Sequence, residues 1–180
     1  FVDVEKHWAL DAIKYAYDNQ LMNGVADGKF APDATLTRGM LVTVLYRMAG
    51  SPAAGGEGRF NDVASGAWYA AAVKWAADNG IVEGVSEHTF APAADITREQ
   101  FAAMLYRFAQ HMKYSAADTA ELDKFADADS VSDWAEAAMK WAVGAGLVTG
   151  RTATAVAPGG TATRGEAATL LMRFGQNVAK

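Results

Sequence analysis

The sequence has no cysteine, so its redox compartment cannot be read from disulfides, and an extracellular protein and a cytosolic one are equally compatible with it. It has no apolar run near the roughly 20 residues that cross a bilayer, which argues against membrane insertion. The start, Phe1-Val2-Asp3-Val4, lacks the basic residues and apolar stretch of a secretory signal. It opens inside a repeat motif, which predicts an excised or processed piece of a longer chain. Basic charge is scarce: 16 Lys and Arg face 21 Asp and Glu, for a net charge of −5. Nucleic-acid binding normally needs a basic surface, so that partner class is excluded, while a small anion held by a few cations is not.

Enzyme signatures are missing too. The three histidines, His7, His88 and His111, sit at unrelated positions without spaced partners for a metal. Asp127, Asp129 and Asp133 resemble the start of a calcium loop but lack its central glycine and terminal glutamate. There is no nucleophile elbow, phosphate loop or dinucleotide fingerprint. The reading is therefore a non-enzyme with no cofactor and no metal.

What is present is a threefold repeat. Hydrophobic residues make up 51% of the chain and five are tryptophan, enough to build a core. Phe1-Val2-Asp3, Phe60-Asn61-Asp62 and Phe125-Ala126-Asp127 each open a unit. Trp8, Trp68 and Trp134 follow, then Gly24, Gly84 and Gly150 sixteen residues later. An Ala-Pro pair comes next, and fourteen residues after each glycine stands Thr37-Arg38, Thr97-Arg98 or Thr163-Arg164. The Trp-to-Arg distance is 30 in all three copies. The main insertions fall at the junctions, through Gly50–Gly56 and Lys113–Lys124, which read as loops. The units are 1–59, 60–124 and 125–180.

Each unit reads as helix–loop–helix. Apolar residues recur at helical spacing through Ala9, Ala12, Ile13, Ala16 and Tyr17, and at equivalent positions in the other copies. This predicts a first helix from Trp8 that ends near Gly24, with the repeated glycine as a positive-φ terminator. The Thr before each Arg is a candidate N-cap, and Gln100 and Glu166 complete capping boxes in copies two and three. Behind each Arg, residues such as Leu41, Val42, Val44 and Leu45 form one apolar face. A lone helix pair cannot bury that face, but three can, which predicts an all-α, pseudo-threefold bundle with a groove between neighbouring units.

Candidate binding residues follow from the same repeat. Arg38, Arg98 and Arg164 flank the apolar stripe at a helix start, where free amides and the macrodipole favour an anion. Their planar fork suits a carboxylate. Equally, each can pair with its own repeat's aspartate and only fix a loop. Trp8, Trp68 and Trp134 can stack on a pyranose, although a role as core anchors is the simpler reading. Trp75 and Trp141, which replace Tyr15, read as packing residues. Asp3, Asp62 and Asp127 can cap the first helix, bridge to Arg or accept sugar hydroxyls. Lys14, Lys74 and Lys140 read as a solvated face.

The ordered set Phe-x-Asp, Trp, Gly, Phe-x-Pro and Thr-Arg resembles the S-layer homology family over essentially the whole chain, best at Gly84 to Phe90-Ala91-Pro92 and Ile96-Thr97-Arg98-Glu99. The resemblance implies a three-pronged spindle at the bacterial cell wall, anchoring an extracellular S-layer or associated protein. Its grooves would bind secondary cell-wall polysaccharide, typically with pyruvylated N-acetylmannosamine, and the arginines would touch the acidic sugar. It extends a binding role to the Trp, Gly and Asp positions. Self-assembly with other surface proteins, without glycan binding, is the alternative. Gly39-Met40, Gly165-Glu166 and Val156 depart from the family pattern, which predicts weaker binding or a mainly architectural role for copies one and three. Repeat two keeps the fullest motif, so the largest contribution is expected from Arg98.

Overall fold

A computed structural model describes residues 1–179, among which lie six α-helices. They are α1 (Leu10–Asp18), α2 (Arg38–Met48), α3 (Ala70–Asp78), α4 (Arg98–His111), α5 (Glu136–Gly144) and α6 (Arg164–Asn177). The second helix of each repeat starts where the sequence predicts. Thr37, Thr97 and Thr163 are N-caps whose side chains accept the N–H of Met40, Gln100 and Glu166. The reciprocal bonds from Gln100 and Glu166 complete both predicted capping boxes.

The first helices are shorter than predicted. They end at Asp18, Asp78 and Gly144, well before Gly24, Gly84 and Gly150. The true terminators are Gln20, Gly80 and Gly146, with φ of 59°, 70° and 73°. In each case the next N–H reaches back to close a Schellman cap, as Ile81 does to the Ala76 carbonyl at 2.8 Å. A terminator was read one loop too late because two glycines stand close together and only one recurs in every copy.

Three helix pairs surround a pseudo-threefold axis, and each pair joins different repeats. Helix α2 packs on α3, α4 on α5, and α6 returns to α1. Tyr46 meets Trp75 across the first pair at 5.6 Å, and Tyr106 meets Trp141 across the second at 5.2 Å. Both tryptophans are buried, as the packing reading expects. At the α6–α1 contact Gly175 leaves the space that the Tyr15 ring occupies. The predicted apolar face of each second helix lies in the core, with Leu41, Leu45, Phe101, Phe108 and Phe174 fully buried. Tyr17 departs from its predicted stripe and is half exposed, its ring edge-on to Phe1 at 5.1 Å.

On the axis the three repeats close a ring of main-chain hydrogen bonds. Leu36 N–H donates to the Ala162 carbonyl (2.9 Å), Ala162 to Ile96 (3.1 Å) and Ile96 to Leu36 (2.8 Å). The residue before each Thr cap thus sits in a short extended segment whose groups are satisfied only by the other two repeats. Buried backbone polar groups need such partners, so no repeat can leave the ring without exposing them.

Candidate functional site

Each repeated arginine is the first residue of its second helix, and each reaches into the following repeat. Arg38 donates from Nε to the Phe90 carbonyl (2.9 Å) and from Nη2 to the Glu83 carbonyl (3.2 Å). Its guanidinium lies 4.7 Å from the Phe90 ring centroid. Arg164 closes the cycle onto the carbonyls of Phe30 and Asn23, 4.5 Å from the Phe30 ring. Arg98 donates to the Val156 carbonyl (2.9 Å), where no ring is available, and pairs with Glu166 at 3.1 Å. Burial pushes all three guanidinium pKa values down, opposed chiefly by Asp62 at Arg38, Glu166 at Arg98 and Asp3 at Arg164. The nearest opposing charge thus comes from the next repeat and not from the repeat's own aspartate, and only at Arg98 is it an ion pair.

The helix starts offer no free amides. The Arg38 and Gly39 N–H groups go to the carbonyls of Ala94 and Pro92, both at 2.9 Å, and Thr37 takes the third. The same bonds recur at Arg98 and Arg164, onto Gly160 and Pro158 and onto Ala34 and Pro32. The Ala-Pro loop of one repeat therefore caps the helix of its neighbour. Any anion chemistry rests on the guanidinium groups alone.

The aspartates hold that loop. Asp62 accepts the N–H of Phe90 (2.9 Å) and Ala91 (2.7 Å); Asp3 grips Phe30 and Ala31, and Asp127 grips Val156 and Ala157, in the same way. The gripped alanines adopt φ of 56°, 58° and 50°, a left-handed conformation that disfavours a side chain. Two amides on one carboxylate hold the turn there. At Asp3 the Phe30 N–H is the main cause of a lowered pKa, and at Asp127 the Val156 N–H is; at Asp62 burial is the largest single influence and raises the pKa, but the Phe90 and Ala91 N–H bonds and the Arg38 charge together bring it below the ordinary value. Among the described residues these carboxylates neither cap the first helix nor form ion pairs, and they are not among the residues lining the two grooves described below.

Gly24, Gly84 and Gly150 serve close approach. A Cβ on Gly84 would stand 2.6 Å from both the Phe60 ring and the Thr89 carbonyl. One on Gly24 would meet Phe1 and the Lys29 carbonyl, and one on Gly150 would meet Phe125 and the Thr152 carbonyl. Of the three, Gly150 alone has positive φ, at 97°. The opening Phe of each unit thus packs its ring edge on the unit's own glycine.

Trp8, Trp68 and Trp134 are not core anchors. They are 66%, 64% and 55% exposed, among the most exposed large apolar side chains of the protein. Each sits in the turn before its first helix, where the next residue rather than the indole turns inward: Ala9 and Ala135 are buried and Tyr69 is half-buried against the core. Around Trp134 the segment is tied down by Glu99 of α4, which accepts the Ser132 N–H (2.9 Å) and hydroxyl (2.7 Å).

Two grooves assemble these parts from all three repeats. One, of about 370 Å³, is lined by Arg38 of repeat one, Gly84 of repeat two and Trp134 of repeat three. The other, of about 400 Å³, takes Arg98, Gly150 and Trp8 in the same cyclic order. At the third junction Arg164 meets Met40 Sδ at 4.0 Å. Among the charged and polar lining residues that escaped the sequence reading as site residues are Glu83, Gln100, Arg107, Arg151, Glu166 and Arg173. Arg107 and Arg173 had a signal, since Arg47, Arg107 and Arg173 each stand nine residues after the Thr-Arg arginine. Lys14 is exposed, and Lys74 and Lys140 pair with acids of their own helix, so the lysines form the expected outer face.

This architecture coincides with a known family. The S-layer homology domain model matches residues 1–39, 59–102 and 124–168, and the chain belongs to the S-layer homology family. It is 32% identical to the surface-layer 125 kDa protein of Lysinibacillus sphaericus, over 95% of this chain and 14% of that one. It is also 32% identical to the amylopullulanase of Thermoanaerobacterium thermosulfurigenes, over 95% of this chain and 9% of the enzyme. Similarity to the cellulosome-anchoring protein of Acetivibrio thermocellus is 31%, over 57% of this chain and 24% of that one. The chain therefore spans about a tenth to a quarter of these relatives. The region shared with enzyme-named relatives is the same anchoring segment. As a member of this family the chain is an extracellular, cell-surface anchoring module.

Proposed function

We propose that the module anchors its parent protein by binding pyruvylated secondary cell-wall polysaccharide in the inter-repeat grooves, without catalysis. One observation carries this reading: an exposed tryptophan and a guanidinium held at the edge of the core line the same groove, in both grooves. A pyranose offers an apolar face to an indole, and a pyruvyl ketal adds a carboxylate that a guanidinium fork can take bidentately. The arginine is already oriented by main-chain carbonyls, so little side-chain entropy is lost on binding.

The test is co-sedimentation with purified sacculi, intact and stripped of secondary polymer. Binding to intact sacculi and its loss on stripping are expected. Equal binding to both would overturn the glycan reading and favour assembly through protein contacts. Soluble sugar released from intact sacculi would overturn the non-catalytic assignment.

A further inference from the structure

The two grooves share a plan but differ in the side chain that follows the repeated glycine: Val25, Val85 and Arg151 in the three copies. The backbone there makes the same turn each time. The Val25 N–H donates to the Lys29 carbonyl (2.9 Å), and those of Val85 and Arg151 to Thr89 and Ala155 (both 2.8 Å). The side chain can therefore vary without altering the loop. Val85 lines the Arg38 groove and Arg151 the Arg98 groove. Val25 and Val85 are 53% and 55% exposed and stand outside the core. A solitary exposed valine needs no explanation, but Val85 shares its groove with the exposed Trp134 and with Ala103 and Met104 of α4, which together make an apolar wall. In the Arg98 groove that wall is polar at two corresponding places, where Arg151 replaces valine and Thr169 replaces Ala103. Arg151 is braced by the Thr161 carbonyl at 2.7 Å and by Glu166 at 3.2 Å. Net charge does not separate the grooves. Arg38 and Arg107 stand against Glu83 in one, and Arg98, Arg151 and Arg173 against Asp33 and Glu166 in the other, an excess of one cation in each.

We infer that the residue after the repeated glycine determines specificity: Val85 makes the Arg38 groove select a methyl substituent on the acidic sugar, and Arg151 removes that selection from the Arg98 groove. This rests on the glycan-binding reading above. A methyl group that leaves water for an apolar wall raises affinity by about fourfold when fully buried. Beside a guanidinium the same methyl finds no apolar partner and covers donors that water or a hydroxyl would satisfy, which cancels the gain. Two methyl groups of the proposed ligand qualify, one on the acetamido group and one on the pyruvyl ketal. Neither is charged, so selection by Val85 acts on top of acid recognition: guanidinium groups read the carboxylate and the valine reads the substituent. The Arg98 groove accepts units without the methyl as readily as units that carry it.

The indole N–H signals of Trp134 and Trp8 report the two grooves separately in nitrogen–proton correlation spectra. Three probes are titrated: pyruvylated N-acetylmannosamine, pyruvylated mannose, and the glyoxylate acetal of N-acetylmannosamine, in which hydrogen replaces the ketal methyl. All three keep one carboxylate. At least one of the two trimmed sugars should titrate Trp134 at a concentration about three- to fourfold above the parent sugar, and which one does so identifies the methyl that is read. At Trp8 the three midpoints should agree within about twofold. Val85→Thr, which keeps the shape and exchanges a methyl for a hydroxyl, should bring the Trp134 midpoints together. Arg151→Val should open at Trp8 the gap that Trp134 shows. Each comparison sets sugars against one another on a single protein, so a variant's overall loss of affinity or stability does not enter it. Equal midpoints at Trp134 in the wild type, or the same gap at both indoles, would overturn this inference and leave the glycan reading standing. So would a Trp134 gap that persists in Val85→Thr, or the absence of a Trp8 gap in Arg151→Val. Silence of both indoles toward all three sugars would overturn the glycan reading and this inference with it.

Discussion

Replacing Arg38 by alanine removes more than a ligand contact, because the side chain joins repeat one to repeat two. It is 4% exposed and makes hydrogen bonds of 2.9 and 3.2 Å to main-chain carbonyls, with its guanidinium over the Phe90 ring. Charge-assisted bonds contribute roughly 1.5–3 kcal/mol each, and a partly desolvated cation–π contact roughly 0.5–2 kcal/mol. Against this stands the cost of keeping the guanidinium out of water, which the variant no longer bears. We expect a net loss of about 3 kcal/mol, equivalent to a fall of roughly 10 °C in Tm for a domain of this size. Urea unfolding followed by far-ultraviolet circular dichroism measures it, through a lower midpoint at unchanged slope. Arg38→Lys should fall between wild type and alanine, since a point charge cannot serve both carbonyls and the ring. A loss below about 0.5 kcal/mol at unchanged slope would refute the view that the arginine staples neighbouring repeats. Binding by any arginine variant must therefore be normalised to its folded fraction.

Gly84→Ala forces a methyl group into the Phe60 ring and two main-chain carbonyls and should cost about 2–4 kcal/mol, whereas Gly66→Ala, with open space around it, should be neutral; matching melting curves would refute the close-approach account. Trp134→Ala should change stability by less than about 1 kcal/mol because the ring is mostly in water, yet reduce sacculus binding by about tenfold; a large loss of stability would restore it to the core. The pKa values of Asp3, Asp62 and Asp127 are lowered in the fold, so these groups bind fewer protons folded than unfolded. Their contribution is complete above the ordinary aspartate value near 3.8 and is lost as pH falls through the lower folded values. Acid unfolding should set in below about pH 4, and Asp62→Ala should flatten that dependence while costing about 1–2 kcal/mol at neutral pH. A pH profile unaltered by Asp62→Ala would refute the loop clamp.

The repeat, the Thr caps and the apolar faces of α2, α4 and α6 were legible in the sequence because each depends on residues close together in the chain. The exposed tryptophans were not. Trp8 and Trp75 are the same residue type on amphipathic segments, and only the inward turn of Ala9 and its equivalents distinguishes surface from core. The partner of each arginine was also hidden. Repetition announces that Arg38, Arg98 and Arg164 are equivalent but says nothing about whether each bonds within its own unit or to the next. The aspartate clamp was missed for a related reason, since the left-handed alanines it supports carry no glycine to mark them.

The ring of Leu36, Ile96 and Ala162 bears on how such an anchor fails under load. A protein at the cell surface is tugged by flow and by its neighbours, and a chain of independent beads would shed them one at a time. Here every bead is locked by the two others, and each groove draws its arginine, glycine and tryptophan from three different beads. Pulling one repeat loose would break all the grooves at once, and a glycan seated in any groove would resist the first step of that breakage. The grip should therefore behave as a clasp, holding nearly full strength up to a threshold and then releasing in a single event.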